Sequence, residues 1–387
     1  MPVRIAMVAG EASGDQLAAH LIEALRVHLP DAEFYGIGGP RMQAAGFNAI
    51  WPAEKLAVNG YAEVLRRYRE LSGIRKSLLA MMRKDKPDVF IGVDAPDFNL
   101  WLEARMKNAG VPSIHFVSPS IWAWRGERIH KIKKAVSRML ALFPFEPEIY
   151  ERENVPVSYV GHPFADAIPV ETDRAGALER LGLDAEGQYI ALLPGSRQSE
   201  LDNMAECFIE SGKLLLQRFP KAQLLVPLVT RETRDRFELA LWNCKAQEMP
   251  FKMVFGHARD VLAVADAALV ASGTATLEAA LIKTPMVIAY KVAPMTYRLM
   301  KNKGYQPWIG LPNILAGEFV VPEFIQDQAT PENIAQAVGN LIVDKYARKR
   351  IVEVFERIHE TLRQGTAERA AAAVLPYLLP KEVQRAS

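Results

Sequence analysis

Short apolar, β-branched runs alternate with longer amphipathic stretches along this chain, and the rhythm starts twice. That alternation is the sequence mark of βαβ units and a parallel sheet. In the first half the strand candidates are 5–8, 89–93, 113–117, 139–143 and 158–160. Helical patterns such as 16–28 and 99–108 lie between them. The second half restarts with 189–193, 223–226, 252–254, 267–270 and 286–290. Between the halves lies a polar stretch, 169–184, with a short helical segment. The expected organisation is therefore α/β, with two Rossmann-like, doubly wound parallel-sheet domains, 1–168 and 169–350, facing a central crevice. The helices of 351–387 would pack back on the first domain or on a partner subunit. In such folds ligands sit beyond the carboxyl ends of the strands. The loops that directly follow strands are where chemistry is to be sought.

Composition narrows the function classes. Half of the 387 residues are apolar and both charge signs are well represented, as in an ordinary globular protein. A net charge of +2 gives no argument for nucleic acid. Cys207 and Cys244 form neither a metal-like cluster nor a disulfide framework. The first residues lack the apolar core of a signal peptide. No stretch approaches the roughly 20 apolar residues of a membrane span. A chain like this meets a membrane, if at all, by lying on it.

In the first half, Gly10-Glu11-Ala12-Ser13-Gly14-Asp15 joins a strand to a helix without the spacing of the dinucleotide fingerprint. Ser13 and Asp15 read equally as helix caps or as ligand contacts. Glu11 is an odd choice for a tight turn and reads as a substrate contact. Gly92-Val93-Asp94-Ala95-Pro96-Asp97-Phe98-Asn99 follows a later strand. Asp97 reads as the helix N-cap. Asp94 ends the strand, where a carboxylate can take a proton from a nucleophilic hydroxyl. The alternative for Asp94 is a loop-organising residue bonded to nearby amides. Trp122 and Trp124 sit in a third loop, open to core packing or to stacking on a sugar.

The second half carries two phosphate-type loops. Leu193-Pro194-Gly195-Ser196-Arg197 places a glycine turn, a hydroxyl and an arginine ahead of a helix. Backbone amides at a helix start favour anions, and a guanidinium fork suits phosphate oxygens. Ser272-Gly273-Thr274 repeats the pattern, with Glu278 one turn along the helix, placed to bind both hydroxyls of a ribose. Together they describe a nucleotide-diphosphate site at Gly195, Ser196, Arg197, Ser272, Gly273, Thr274 and Glu278. No Asp-x-Asp triplet and no His/Cys cluster of metal-ligand spacing occurs, so no metal and no cofactor is expected.

Two basic stretches remain. From Arg66 to Lys84 there are seven basic residues and one acid, Glu70. Tyr61, Val64, Leu65, Tyr68, Leu71, Leu78 and Met82 recur there at helical spacing. A basic amphipathic helix suits an anionic membrane surface, with Val64, Leu65, Tyr68 and Leu71 toward lipid, although many such helices merely face a core. The second stretch runs from Arg125 to Arg138 and could attract anionic head groups or a substrate phosphate, or be solvated.

Taken together, these segments resemble the lipid-A-disaccharide synthase family along nearly the whole chain. The likeness rests on Val8 to Asp15, Gly36 to Met42, Val93 to Asn99, Val117 to Arg125, Leu193 to Arg197, Ala271 to Ala275 and Leu311-Pro312-Asn313-Ile314-Leu315-Ala316-Gly317. It implies a GT-B fold and an inverting glycosyltransferase without a metal requirement. The implied reaction joins UDP-2,3-diacylglucosamine to 2,3-diacylglucosamine 1-phosphate and releases UDP, on the cytoplasmic face of the inner membrane of Gram-negative bacteria. It also marks Asp94, Arg197 and Asn313 as functional positions, Asn313 in a substrate or loop role. Asp94 is then the base and Glu11 the second choice. Region 291–308 departs most from the family and is assigned no role. The oligomeric state, a homodimer included, stays open. Two rival readings share the diphosphate loops: a UDP-sugar 2-epimerase, and a silent membrane-associated UDP-sugar binder.

Overall fold

A computed structural model describes residues 2–56, 61–292, 297–298 and 305–378, with 61–66 by their backbone alone. The chain divides into two units. The first holds Met1–Asp166 and the segment from Leu362 onward; the second is Ala167–Thr361.

In the first unit, β1 (Arg4–Ala9), β2 (Glu33–Gly38), β3 (Asn48–Pro52), β4 (Val89–Val93), β5 (Ser113–Phe116), β6 (Arg138–Ala141) and β7 (Val157–Tyr159) form one sheet. All pairings are parallel, in the order β3-β2-β1-β4-β5-β6-β7. The helices are α1 (Ala12–His28), α2 (Pro40–Ala44), α3 (Tyr61–Lys84), α4 (Pro96–Asn108), α5 (Ile129–Ala135), α6 (Glu146–Arg152) and α7 (Pro163–Ala167), which runs into the second unit. Every residue of β4 is buried, as expected for a central parallel strand covered on both faces. One face packs against α1, where Leu17, Ala18, Leu21, Ile22 and Leu25 recur at helical spacing and are buried. Fully burying a side chain such as Leu21 stabilises by about 1.5–3 kcal/mol. Pro30, two residues past α1, cannot continue the helix. The C-terminal helix Thr366–Val374 joins the same cluster through Ala370, Ala371 and Val374. Its start is held by Asp166, whose carboxylate accepts from the amides of Gly365 (3.0 Å) and Thr366 (2.7 Å). The other face is covered by α3 and α4 through Leu78, Leu79, Met82, Leu102 and Met106.

The second unit repeats the plan. Strands β8 (Gln188–Leu193), β9 (Ala222–Leu228), β10 (Phe251–Phe255), β11 (Ala267–Ala271), β12 (Met286–Tyr290) and β13 (Glu323–Ile325) run parallel in the order β10-β9-β8-β11-β12-β13. Helices α8 (Arg174–Leu181), α9 (Gln198–Arg218), α10 (Arg231–Asn243), α11 (Ala258–Val264) and α12 (Thr274–Leu281) follow in chain order, with Pro331–Val343 and Lys345–Leu362 after β13.

Three strands carry little sequence signal. β2 reads Glu-Phe-Tyr-Gly-Ile-Gly, and its glycines interrupt the apolar run. Gly36 has φ +138°, and a Cβ there would lie 2.2 Å from the Met7 carbonyl oxygen of β1. The glycine that hides the strand is the one that lets it approach its neighbour. β3 is an edge strand ending in Pro52, and β13 has only three residues.

Candidate active site

In each sheet the winding direction reverses between the first strand and the fourth, and ligands of doubly wound folds bind at that point. In the first unit it falls between β1 and β4. Ala9 pairs with Val93, and Val93 with Phe116. The loops bearing Glu11 and Asp94 are therefore neighbours at the carboxyl edge. A Cβ on Gly10 would come within 3.4 Å of the Cβ of Ala95.

Asp94 and Ala95 both occupy the left-handed region, at φ +52° and +42°. For residues with a Cβ that costs about 1–2 kcal/mol each and persists only where neighbours enforce it. The Asp94 amide donates to the Phe116 carbonyl (2.8 Å). Its half-buried carboxylate has no hydrogen-bond or ion-pair partner among the described residues. The bonds to nearby amides that a loop-organising Asp94 would make are absent among the described residues. Glu11 is exposed, at the N-cap position of α1, and its side chain makes no cap bond.

Several nearby side chains do other work than the sequence suggested. Asp15 is buried, and its carboxylate accepts from the amides of Gly39 (2.8 Å), Arg41 (3.0 Å) and Met42 (3.1 Å). It caps α2, and not α1 as the cap reading had it. Ser13 is exposed in the first turn of α1 and does not cap it. Asp97 is not the N-cap of α4: Ala95 holds that position with Pro96 at N1, and Asp97 pairs with Arg128 at 2.8 Å. Trp122 packs edge-on against Phe143 and Phe145, while the Arg125 guanidinium lies 4.0 Å over the Trp124 ring. Near this aromatic group the Glu146 carboxylate accepts from the amides of Leu142 (3.0 Å) and Phe143 (2.9 Å). Burial nonetheless pushes its pKa up to about 7. Sequence reading passed over Glu146, since a glutamate beside a proline reads as surface.

In the second unit the reversal falls between β8 and β11, where Leu193 pairs with Val270. It brings together the two loops that sequence assigned to a diphosphate. Ser196 and Arg197 are exposed, and Gly195 is half-buried. Gly273 is the N-cap of α12 and Thr274 its exposed first residue. Ser272 donates to the Ile309 carbonyl (3.3 Å). One detail corrects the sequence reading. The amides of Ser196 and Arg197 are already taken: the Glu200 carboxylate accepts from both, at 2.8 and 3.2 Å. The anion at this helix start belongs to the chain itself, by the reach-back of a capping box. Glu200, at N3, was not visible in the sequence as that pattern, which has Ser or Thr where Arg197 stands. An external anion is left the Arg197 guanidinium, the exposed hydroxyls and the first-turn amides that Glu200 does not take.

Asn313 is fully buried. Its side chain donates to the Val321 carbonyl and Glu323, and accepts from the amides of Val320 and Val321, all at 2.8–2.9 Å. It sits within the short helix Leu311–Ala316 and ties the turn that follows, with Glu323 as a partner that the sequence did not single out. Burial raises the Glu323 carboxyl above the usual range, against the amides of Ile309 and Gly310 that it accepts from.

The basic helix α3 divides. Tyr68 is 59% exposed, but Leu71 packs with Ile74 against the core cluster that buries Leu78 and Met82. Leu71 is thus partly covered by that core, which leaves only the rest of its surface for the lipid-facing role expected of it. The side chains of Val64 and Leu65 lie outside the described residues, as do 293–296 and 299–304. Among the described residues no helix is long and apolar enough to cross a membrane, and no group of three His, Cys, Asp or Glu is placed to hold a metal ion.

The model of the lipid-A-disaccharide synthetase family matches residues 5–375. The chain belongs to the lipid-A-disaccharide synthase family. The synthase of Azoarcus sp. (strain BH72) is 62% identical over 378 residues, covering 98% of this chain and 97% of the relative. That of Dechloromonas aromatica is 60% identical over 377 residues, covering 97% and 99%. The chain is accordingly a glycosyltransferase of lipid A biosynthesis. Solved structures share the fold at low identity. The glycosyltransferase of kitacinnamycin superposes with a TM-score of 0.60 at 17% identity, covering 98% of this chain and 100% of that one. The S. aureus MnaA–UDP co-structure gives 0.63 at 13%, covering 97% and 96%. The two parallel-sheet units are those of GT-B glycosyltransferases, as the synthase resemblance implied.

Proposed function

We propose that the chain joins UDP-2,3-diacylglucosamine to 2,3-diacylglucosamine 1-phosphate, with inversion and release of UDP. The acceptor hydroxyl oxygen bonds to the anomeric carbon while the bond from that carbon to the diphosphate breaks. The hydroxyl proton passes to Asp94, and the departing negative charge is met by Arg197. The observation that carries this reading is the Asp94 carboxylate, held in a left-handed turn at the point where the first sheet reverses and left without a partner among the described residues. Glu11, on the neighbouring loop, contacts the acceptor sugar and is the alternative base. The second unit takes the UDP, through Arg197, Ser272, Thr274 and Glu278. The UDP bound to a neighbour of the same fold supports that choice of nucleotide. The exposed part of the α3 stripe and its basic residues suit an anionic membrane surface, the cytoplasmic leaflet of the inner membrane.

Mass-spectrometric analysis of products tests the reading. The protein mixed with both substrates should yield the tetraacyl disaccharide 1-phosphate and UDP, one for one. A product formed from the UDP-sugar alone, or UDP binding with no turnover, would overturn it.

A further inference from the structure

Beneath the Asp94 turn lies a buried polar group that no role yet accounts for. Asn99 and Glu103 are one turn apart on α4, and His115 is on β5; all three are fully buried. The Asn99 amide nitrogen donates to the Asp94 carbonyl (2.8 Å) and, at 3.4 Å, to the carbonyls of Val93 and Val8. It thereby ties the ends of β4 and β1 to the turn. Glu103 Oε1 lies 2.7 Å from His115 Nδ1, so the two side chains are hydrogen-bonded. Gly92 makes room for this arrangement: a Cβ there would stand 2.1 Å from Glu103 Oε1 and 2.8 Å from Asn99 Cβ. His115 is the partner of Gly92 in the sheet, so the three side chains meet over the one position of β4 without a side chain. Asn99 Oδ1, Glu103 Oε2 and His115 Nε2 make no hydrogen bond among the described residues. Burying such groups is costly. A chain that needed only a stable core would place apolar residues here.

We propose that Asn99, backed by Glu103 and His115, is a positioning device for Asp94. It holds the Asp94–Ala95 turn left-handed and so fixes where the carboxylate points. The inference rests on the reading of Asp94 as base. Asn99 suits the task because its amide can donate to the backbone carbonyls at the strand ends and to that of the strained residue itself. Alanine at 99 would leave the Asp94 turn free to relax to negative φ, carrying the carboxylate away from the acceptor hydroxyl. Proton transfer is sensitive to displacements of this kind.

The test uses the full-length protein in steady-state assays, alongside UDP titration and thermal melts. Asn99→Ala should lower kcat at least tenfold while the KM for the UDP-sugar and the affinity for UDP stay within about twofold. The double variant with Asp94→Asn should be within about threefold of Asp94→Asn alone, because a device that acts through Asp94 has nothing left to position. Glu103→Gln keeps shape and volume and serves if Asn99→Ala melts too low to assay; kcat should fall about threefold or more at unchanged KM. Parental kcat in both Asn99→Ala and Glu103→Gln overturns the proposal, as do losses that multiply in the double variant. Normal turnover of Asp94→Asn instead overturns the base assignment itself, a result distinct from either.

Discussion

Arg259 Nε donates to Glu278 Oε1 at 2.9 Å, so the carboxylate proposed to meet a ribose is engaged with a neighbouring guanidinium. Both side chains are partly exposed, and an ion pair of this kind is worth about 0–1 kcal/mol. It is weak enough to yield to a ligand. Two hydroxyls donating to a carboxylate contribute about 1.5–3 kcal/mol. Glu278→Ala should therefore weaken UDP about 10- to 100-fold in calorimetric titration, and Arg259→Ala less than fivefold. Parental affinity in Glu278→Ala would place the ribose elsewhere.

On the proposed donor site, Glu200 would compete with the diphosphate for the start of α9, and Arg197 would recruit the diphosphate. Arg197→Ala should weaken UDP at least tenfold, since charge-assisted bonds to phosphate are the strong ones. Glu200→Gln keeps the side-chain shape and removes a negative charge beside the site. It should bind UDP several-fold more tightly. Weaker binding in Glu200→Gln would mean that the cap is needed to shape the loop.

Asp94→Asn conserves shape and abolishes proton acceptance. Turnover should fall about 10²- to 10⁴-fold with UDP affinity unchanged. Near-normal steady-state turnover would shift the base to Glu11.

Glu146 gives stability a measurable pH dependence. Burial carries its pKa from an ordinary 4.5 to about 7. Below pH 4.5 the carboxyl is protonated in both folded and unfolded chains. As pH rises the unfolded chain ionises first, so folding free energy falls until about pH 7, by about 3 kcal/mol at most. His162 opposes this: burial pushes its imidazole down to about 4, which costs stability as pH falls below 6.5. That contribution is common to parent and Glu146→Gln and drops out of their difference. The melting temperature of Glu146→Gln minus that of the parent should climb between pH 4.5 and 7 and then level. A difference independent of pH would mean that Glu146 ionises normally.

The α3 stripe should separate into two parts under mutation. Serine at Val64, Leu65 and Tyr68 should reduce co-sedimentation with anionic vesicles at an unchanged melting temperature. Serine at Leu78 and Met82, both 0% exposed, should lower the melting temperature sharply, since each removes buried apolar volume worth about 2–5 kcal/mol. Vesicle binding that survives the first set would move the membrane contact toward Trp122–Arg138.

How much of this was legible beforehand follows from the range of the interactions. Periodicity and strand-to-helix loops are local, and they were enough for two parallel α/β units and for the loops at Glu11, Asp94, Arg197 and Ser272–Thr274. Strand order is not local. Only the fold places β1 beside β4 and β8 beside β11, and so makes those loops neighbours at the reversal of each sheet. Polar side chains divide in the same way. Asp15, Asn313 and Asp94 look alike in sequence, as small polar residues in loops that follow or precede helices. Tertiary structure gives Asp15 three amides 24 to 27 positions away, binds Asn313 to the turn seven and eight positions on, and leaves Asp94 without a partner among the described residues. The α3 stripe shows the limit from the other side: helical spacing told which residues share a face, but what that face meets was decided by the sheet beneath it. A sequence states which groups a chain possesses. Which of them are spent on folding and which remain for chemistry is settled by contacts between residues far apart in the chain.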